Sequence, residues 1–171
     1  MAHRARAAGR TRRAGRADVL RCGRPGRLLA LGAGEGGVST AAAVRPKPLA
    51  NYPFLREAGG LLFLSGVSAR QKDGTIAGVS RQAGEAIYDV AEQFRAIVTN
   101  ITETLRAVDG TLSDLVDVTI FLTDMAYYPA MNCEYNKWFG PDGPARTTVG
   151  VRQLPHPDMV VELKVVARRP D

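Results

Sequence analysis

From Ile87 to Val108 the apolar residues Ile87, Val90, Ala91, Phe94, Ile97, Val98, Ile101, Leu105 and Val108 recur at spacings of three and four. Asp89, Glu92, Gln93, Arg95, Asn100 and Glu103 lie between them. This periodicity predicts a one-sided amphipathic helix of about five or six turns, closing near Asp109-Gly110. Its polar face is not basic, which argues against a membrane-surface helix. The apolar stripe must therefore be covered by another element of the chain.

The covering element is readable next. Leu115 to Thr123 alternates Val116, Val118, Ile120 and Leu122 with Asp117, Thr119, Phe121 and Thr123, a strand with one apolar face. Asp124 is a helix start signal, and Tyr127 to Phe139 reads as a second helix with Tyr128, Met131, Tyr135, Trp138 and Phe139 as a core stripe. Upstream, a strand around Phe54–Glu57 is expected to pair with Leu61–Leu64 across Ala58-Gly59-Gly60. Lys72-Asp73-Gly74 marks a turn, and Gly78 an irregular stretch. Downstream, strands are expected at Arg146–Leu154 and Val160–Arg168, joined across Pro155-His156-Pro157-Asp158. The order β-β-α-β-α-β-β predicts an α+β sandwich, one sheet with two helices on one face. In the last strand Val161, Leu163, Val165 and Ala167 should face the helices, and Glu162, Lys164 and Val166 should face away. Arg146, Thr148, Gly150 and Arg152 share a face that should be the one away from the helices. A mixed polar and apolar face of this kind commonly meets another subunit.

Charge divides the chain. Residues 1–47 hold eleven Lys/Arg and two acids, whereas residues 48–171 hold twelve Lys/Arg and fifteen acids, a net of −3. The overall +6 therefore belongs to a leader and implies no basic partner surface on the body. Ala, Arg, Gly and Pro make up 30 of the first 45 residues, too little apolar surface to order a chain. The expected division is a disordered basic leader, 1–45, and a folded domain, 46–171. Gly32-Ala33-Gly34-Glu35-Gly36-Gly37 matches a dinucleotide fingerprint, but Pro46 and Pro48 block the helix that fingerprint needs. A transit peptide fits the arginines but not the scarcity of serine. A nucleic-acid-binding arm is a third reading. The GC-rich codons of these residue types favour a fourth, upstream sequence read through from a misplaced start. No secretory signal is recognisable, and Cys133, the one cysteine of the body, is expected to be unpaired, so a cytoplasmic location is expected. No run of 18 apolar residues could span a membrane. Two histidines and two cysteines leave no metal cluster to expect.

Two charged residues on predicted strands carry the chemistry, Arg146 and Glu162. The plain reading is a structural ion pair or two unrelated exposed charges. The functional reading is a small-molecule site, since a guanidinium grips a carboxylate through two parallel hydrogen bonds. A carboxylate alongside could take a proton from water.

The body, from Pro46 to Pro170, resembles the reactive intermediate deaminase (Rid, or YjgF) family. The resemblance is carried by Asn51-Tyr52-Pro53, Leu62-Phe63-Leu64-Ser65-Gly66, Phe121-Leu122-Thr123-Asp124-Met125, Asn132-x-x-Tyr135, Pro144-Ala145-Arg146-Thr147-Thr148-Val149 and Val161-Glu162-Leu163-Lys164-Val165-Val166-Ala167. It implies a chorismate-mutase-like sandwich, one mixed sheet of about six strands with two helices on one face. It also implies a homotrimer with active sites at the subunit interfaces. The implied activity is hydrolysis of a small carboxylate-bearing enamine or imine to a carbonyl compound and ammonia, with no metal or organic cofactor. The implied carboxylate-binding arginine is Arg146 and the water-activating glutamate is Glu162. Tyr52, Ser65 and Asn132 are the implied pocket residues.

There are departures. Thr148 stands where the family often has cysteine, Pro53 follows Tyr52 instead of serine, the turn at 153–157 is one residue longer, and the stretch from Gly78 to Val90 is also longer. Together with Ser65–Arg70 and Thr75–Gly78 they resemble the 2-aminomuconate deaminase branch. That substrate has two carboxylates, so a second donor is required, with Arg70, Arg152 and His156 as candidates. The alternatives are a broad-range 2-aminoacrylate deaminase, a non-catalytic ligand-binding trimer and an RNA-binding protein. The acidic body argues against the last.

Overall fold

The computed structural model describes residues 50–170; the leader and its glycine motif lie outside the described residues. The chain forms β1 (Leu55–Ala58), β2 (Leu61–Leu64), β3 (Val67–Ser68), β4 (Val79–Gln82), β5 (Glu85–Tyr88), α1 (Val90–Arg106), β6 (Leu115–Leu122), α2 (Tyr128–Trp138), β7 (Ala145–Gly150) and β8 (Val161–Arg168). Six strands make one mixed sheet in the order β1-β2-β8-β6-β7, with the short β3 also paired to β8. Among the described strands only β6 and β7 run parallel, and α2 supplies the crossover between them. The expected β1–β2 hairpin closes at Gly59-Gly60, with Ala58 opposite Leu61.

The stripe of α1 behaves as its spacing dictates: Phe94, Ile97, Val98, Ile101 and Leu105 are fully buried. They pack over Leu62, Leu64, Val118, Ile120, Leu163 and Val165 of the sheet. Burying each such side chain stabilises the fold by roughly 1.5–3 kcal/mol. Asp89 caps α1, its carboxylate accepting from the Glu92 amide at 2.9 Å. Phe94 of α1 meets Tyr135 of α2 edge to face, ring centres 6.1 Å apart. The two helices thus lie on one face, as expected.

Three expectations need correction. The helix does not begin at Ile87: Ile87 and Tyr88 belong to β5, which pairs with β4 as a separate two-stranded hairpin. The strand from Arg146 ends at Gly150, not Leu154. Cys133 is not a free thiol, since no cysteine among the described residues is free. No helix among the described residues is long and apolar enough to cross a membrane.

Candidate active site

Arg146 lies on β7, the edge of the sheet. Its register partner on β6 is Val118, which is fully buried beneath the helices. Laterally paired residues point to the same side of a sheet, so Arg146 leans over α2 and not onto the free face the alternation suggested. Its Nη1 donates to Asn132 Oδ1 at 2.8 Å and its Nη2 to the Tyr128 hydroxyl at 3.3 Å. Its Cζ stands 4.4 Å from the centre of the Tyr135 ring. Tyr128, Asn132 and Tyr135 fall at helical spacings of four and three, which brings them to one face of α2. Among the described residues all the partners of this guanidinium are neutral, and no carboxylate bridges it. Its charge is held in place and left uncompensated, which is the electrostatic condition for binding an anion.

Arg146 and Tyr135 line an open cleft of about 440 Å³ together with Asn136, Phe139 and Pro144. Tyr135 also stacks on Phe139 at 4.7 Å, so one ring joins the core to the guanidinium. Burial pushes the Tyr135 phenol up, and the Arg146 charge partly offsets this. Two residues beyond Arg146, on the same side of β7, the Thr148 hydroxyl is buried with no hydrogen-bond partner among the described residues.

Glu162 is elsewhere. It alternates on β8 with Val161 and Leu163, both buried under the helices, so its side chain leaves the opposite face. Its lateral neighbour is Phe121, whose neighbour in turn is Val149. Arg146 and Glu162 therefore form no ion pair within one chain. The Glu162 carboxylate rests against Gly66: a Cβ there would stand 2.6 Å from Oε1. The missing side chain at residue 66 is what admits the carboxylate. Burial, with no compensating cation bridging it among the described residues, pushes the Glu162 pKa above the ordinary 4.5.

Ser65 precedes Gly66 and ties down the segment after Tyr52. Its hydroxyl donates to the Pro53 carbonyl at 2.7 Å, and its amide to the Phe54 carbonyl at 3.0 Å. Tyr52 is 44% exposed, so its ring is open to a partner or ligand. The expected site residues thus fall into two groups: Arg146, Asn132 and Thr148 by α2, and Glu162 with Ser65 and the Tyr52 segment at the free face.

The candidates for a second donor are scattered. Arg70 lines a different cleft, beside Asn100 and Glu103 of α1, which shares no lining residue with the Arg146 cleft. Arg152 is exposed on the β7–β8 loop. His156 is half-buried on that loop, its Nδ1 accepting from the Asp158 amide at 3.1 Å. Among the described residues no group of three or more His, Cys, Asp or Glu is placed to hold a metal ion.

Sequence reasoning left Tyr128 and Tyr135 in the core stripe; their spacing from Asn132 was the available signal that they also cradle Arg146. Glu134 was missed. It is 3% exposed, yet it accepts from Arg95 at 3.0 Å, Lys137 at 2.7 Å and Trp138 at 3.3 Å. It is a satisfied structural carboxylate that braces α2 against α1.

The endoribonuclease L-PSP family model matches residues 42–169. The chain belongs to the endoribonuclease L-PSP family. This is the Rid family that the sequence motifs resemble. Among its L-PSP relatives, a RutC family protein of Pyrococcus horikoshii is 32% identical over 123 residues, covering 71% of this chain and 90% of that protein. The 3-aminoacrylate deaminase RutC of Acinetobacter baylyi is 33% identical over 122 residues, covering 71% of this chain and 90% of its own. The crystal structure of yeast Mmf1 superposes with a TM-score of 0.65 at 26% identity, covering 79% of this chain and 98% of that one.

Proposed function

We propose that this L-PSP protein is a cofactor-independent enamine/imine deaminase. Its site would form where Arg146 of one copy meets Glu162 of another in a homotrimer. One observation carries the reading: an uncompensated guanidinium and a burial-raised, unpaired carboxylate leave opposite faces of the same sheet. Each is half of a hydrolytic site, and a second copy supplies the missing half. The name of the RutC relative, a 3-aminoacrylate deaminase, supports the reaction class. The reading also makes residues 46–171 the catalytic domain, free of nucleic-acid and membrane partners.

The chemistry follows from the two groups. Arg146, held by Asn132 and Tyr128, clasps the carboxylate next to the amino-bearing carbon. The enamine tautomerises to the imine, whose carbon is electrophilic. Glu162 orients a water and accepts its proton as the water oxygen bonds to that carbon. The carbinolamine then breaks its C–N bond, and Glu162 returns the proton to the departing ammonia. One water is consumed and one ketone formed. A raised pKa suits this role, because the carboxylate must take and return a proton near neutral pH. Tyr52, Ser65 and Thr148 would line the pocket.

The preferred substrate is 2-aminomuconate, supported by the branch motifs and by the longer 78–90 stretch. 2-Aminoacrylate fits the Arg146–Glu162 chemistry equally well. Ammonia release from each, compared as kcat/KM, decides between them. No ammonia from either would leave a ligand-binding trimer. RNA cleavage is the second reading, favoured by the family's description as an endoribonuclease. The acidic body opposes it, and RNA binding by residues 46–171 alone would revive it.

A further inference from the structure

Strand β3 is two residues long, and its side chains divide between the two faces of the sheet. Val67 is fully buried and pairs with Leu163, whereas Ser68 is half-buried and pairs with Glu162. Laterally paired residues leave the same side of a sheet, so Ser68 shares the free face with Glu162. The phase is held from the helix side. Asn100 of α1 donates to the Ser68 carbonyl at 2.9 Å and to the Arg70 carbonyl at 3.1 Å, which pins this backbone against the helix. The alternation extends over four residues: Val67 and Ala69 are fully buried, and Gly66 and Ser68 face the carboxylate.

The other lateral neighbour of Glu162 is Phe121 on β6, which offers no hydrogen bond. Lys164, two residues along β8 on the same face, is exposed and aligned with Thr119. Ser68 is therefore the polar lateral neighbour of the carboxylate. Among the described residues neither the Ser68 hydroxyl nor the Glu162 carboxylate has a hydrogen-bond partner, and neither is sealed from solvent. Ser65 differs, because its hydroxyl is already committed to the Pro53 carbonyl. The spacing explains why Ser68 and Glu162 do not bond each other. The carboxylate rests over Gly66, with Oε1 2.6 Å from where a Cβ would stand. Gly66 and Ser68 lie two residues apart, about 6–7 Å along an extended chain. One water, with a hydrogen bond of about 2.8 Å on each side, spans about 5–6 Å. Two unspent polar groups at that separation, beside an apolar wall, make a place for one water.

We propose that Ser68 Oγ is the second partner of a water held at Glu162, and that this water is the nucleophile of the hydrolysis. The proposal rests on the deaminase reading for the reaction and names what orients the attacking water. Glu162 accepts one O–H of the water and Ser68 Oγ accepts the other, which leaves a lone pair of the water oxygen for the imine carbon. As the C–O bond forms, the first proton passes to Glu162, and Ser68 keeps its own proton throughout. Two hydrogen bonds fix the direction of attack where one leaves the water free to turn. Two measurements on the full chain test this. A high-resolution crystal structure of the wild type should show a water within hydrogen-bond distance of both Ser68 Oγ and a Glu162 oxygen. Ser68→Ala should lose that water with Glu162 unmoved. In ammonia-release kinetics Ser68→Ala should lower kcat about tenfold with KM unchanged, and Ser68→Thr, which keeps a hydroxyl, should restore most of it. A direct Ser68–Glu162 hydrogen bond, or no water bridging the pair, overturns the proposal. So does a Ser68→Ala enzyme with wild-type kcat, or one whose loss lies in KM alone. A wild-type protein that holds the water but releases no ammonia from 2-aminoacrylate or 2-aminomuconate keeps the water site and sinks the deaminase reading.

Discussion

Arg146 and Glu162 project from opposite faces of one sheet, two strands apart. Arg146 aligns with Val118 and Val165, Glu162 with Phe121 and Val149. A single chain therefore holds both groups and cannot bring them to the same small molecule. If the chain hydrolyses imines, it must do so as an assembly. Mixing inactive Arg146→Ala with inactive Glu162→Gln subunits, after dissociation and reassembly, should restore ammonia release, because some interfaces regain both groups. Activity that stays absent in the mixed assemblies counts against the shared site.

Glu162→Gln is expected to keep ligand affinity and lose about 10²–10⁴-fold in kcat. In wild type, kcat should fall on acidification with an inflection above the ordinary glutamate value of 4.5, because the base must be ionised. The stability effect has the opposite sense. A carboxylate with a raised pKa in the folded state binds protons more tightly there than when unfolded, so stability declines as pH rises from 4.5 through the raised value. Glu162→Gln removes that penalty. Its thermal midpoint should exceed wild type at pH 7 and match it at pH 3; equal midpoints at both would refute the assignment.

Arg146→Lys should lose the paired geometry while keeping the charge. The loss of a hydrogen bond to a charged group, about 1.5–3 kcal/mol, predicts a KM raised roughly 10-fold to 150-fold. Asn132→Ala, which releases only one side of the guanidinium, should raise KM less. Steady-state kinetics of the two variants side by side give the ranking.

Gly66→Ala places a methyl group against the end of the Glu162 side chain, which can swing away. The expected result is a loss of at least tenfold in kcat with a stability change of about 1 kcal/mol or less. Urea unfolding and kinetics on the same preparation separate the two effects.

Gln93→Leu fills similar space but strands the Asp158 carbonyl and the Val160 amide. At about 1–3 kcal/mol for each of the two unsatisfied buried groups, a destabilisation of about 2–6 kcal/mol is expected. Urea midpoints check it.

The elements with a strong period are legible in the sequence. The stripe of α1, the alternation of β6 and β8, and the Gly-Gly hairpin of β1–β2 each encode one structure. The β4–β5 hairpin was not, because Val79–Gln82 and Glu85–Tyr88 are mostly exposed and Ala83 is an unusual turn residue. Ile87 extended the helical period by chance. The face of Arg146 was misjudged for a related reason. β7 alternates Arg146, Thr148 and Gly150 with Thr147 and Val149, and neither set is apolar enough to fix its phase. Only its pairing with β6 decides it. Arg146 and Glu162 are readable from the sequence as the residues of interest, but which side of the sheet each occupies depends on contacts distant in the chain.

The 2.8 Å hydrogen bond from the Asp89 amide to the Gly78 carbonyl closes a neck below the β4–β5 hairpin, and that neck carries an implication for how such a protein changes over time. Ten residues pass through a single doorway and pair only with each other, so they can be gained, lost or exchanged without re-threading the six-stranded sheet or shifting Arg146 and Glu162. Sequence drift is thereby confined to an appendage while the sheet stays as it was.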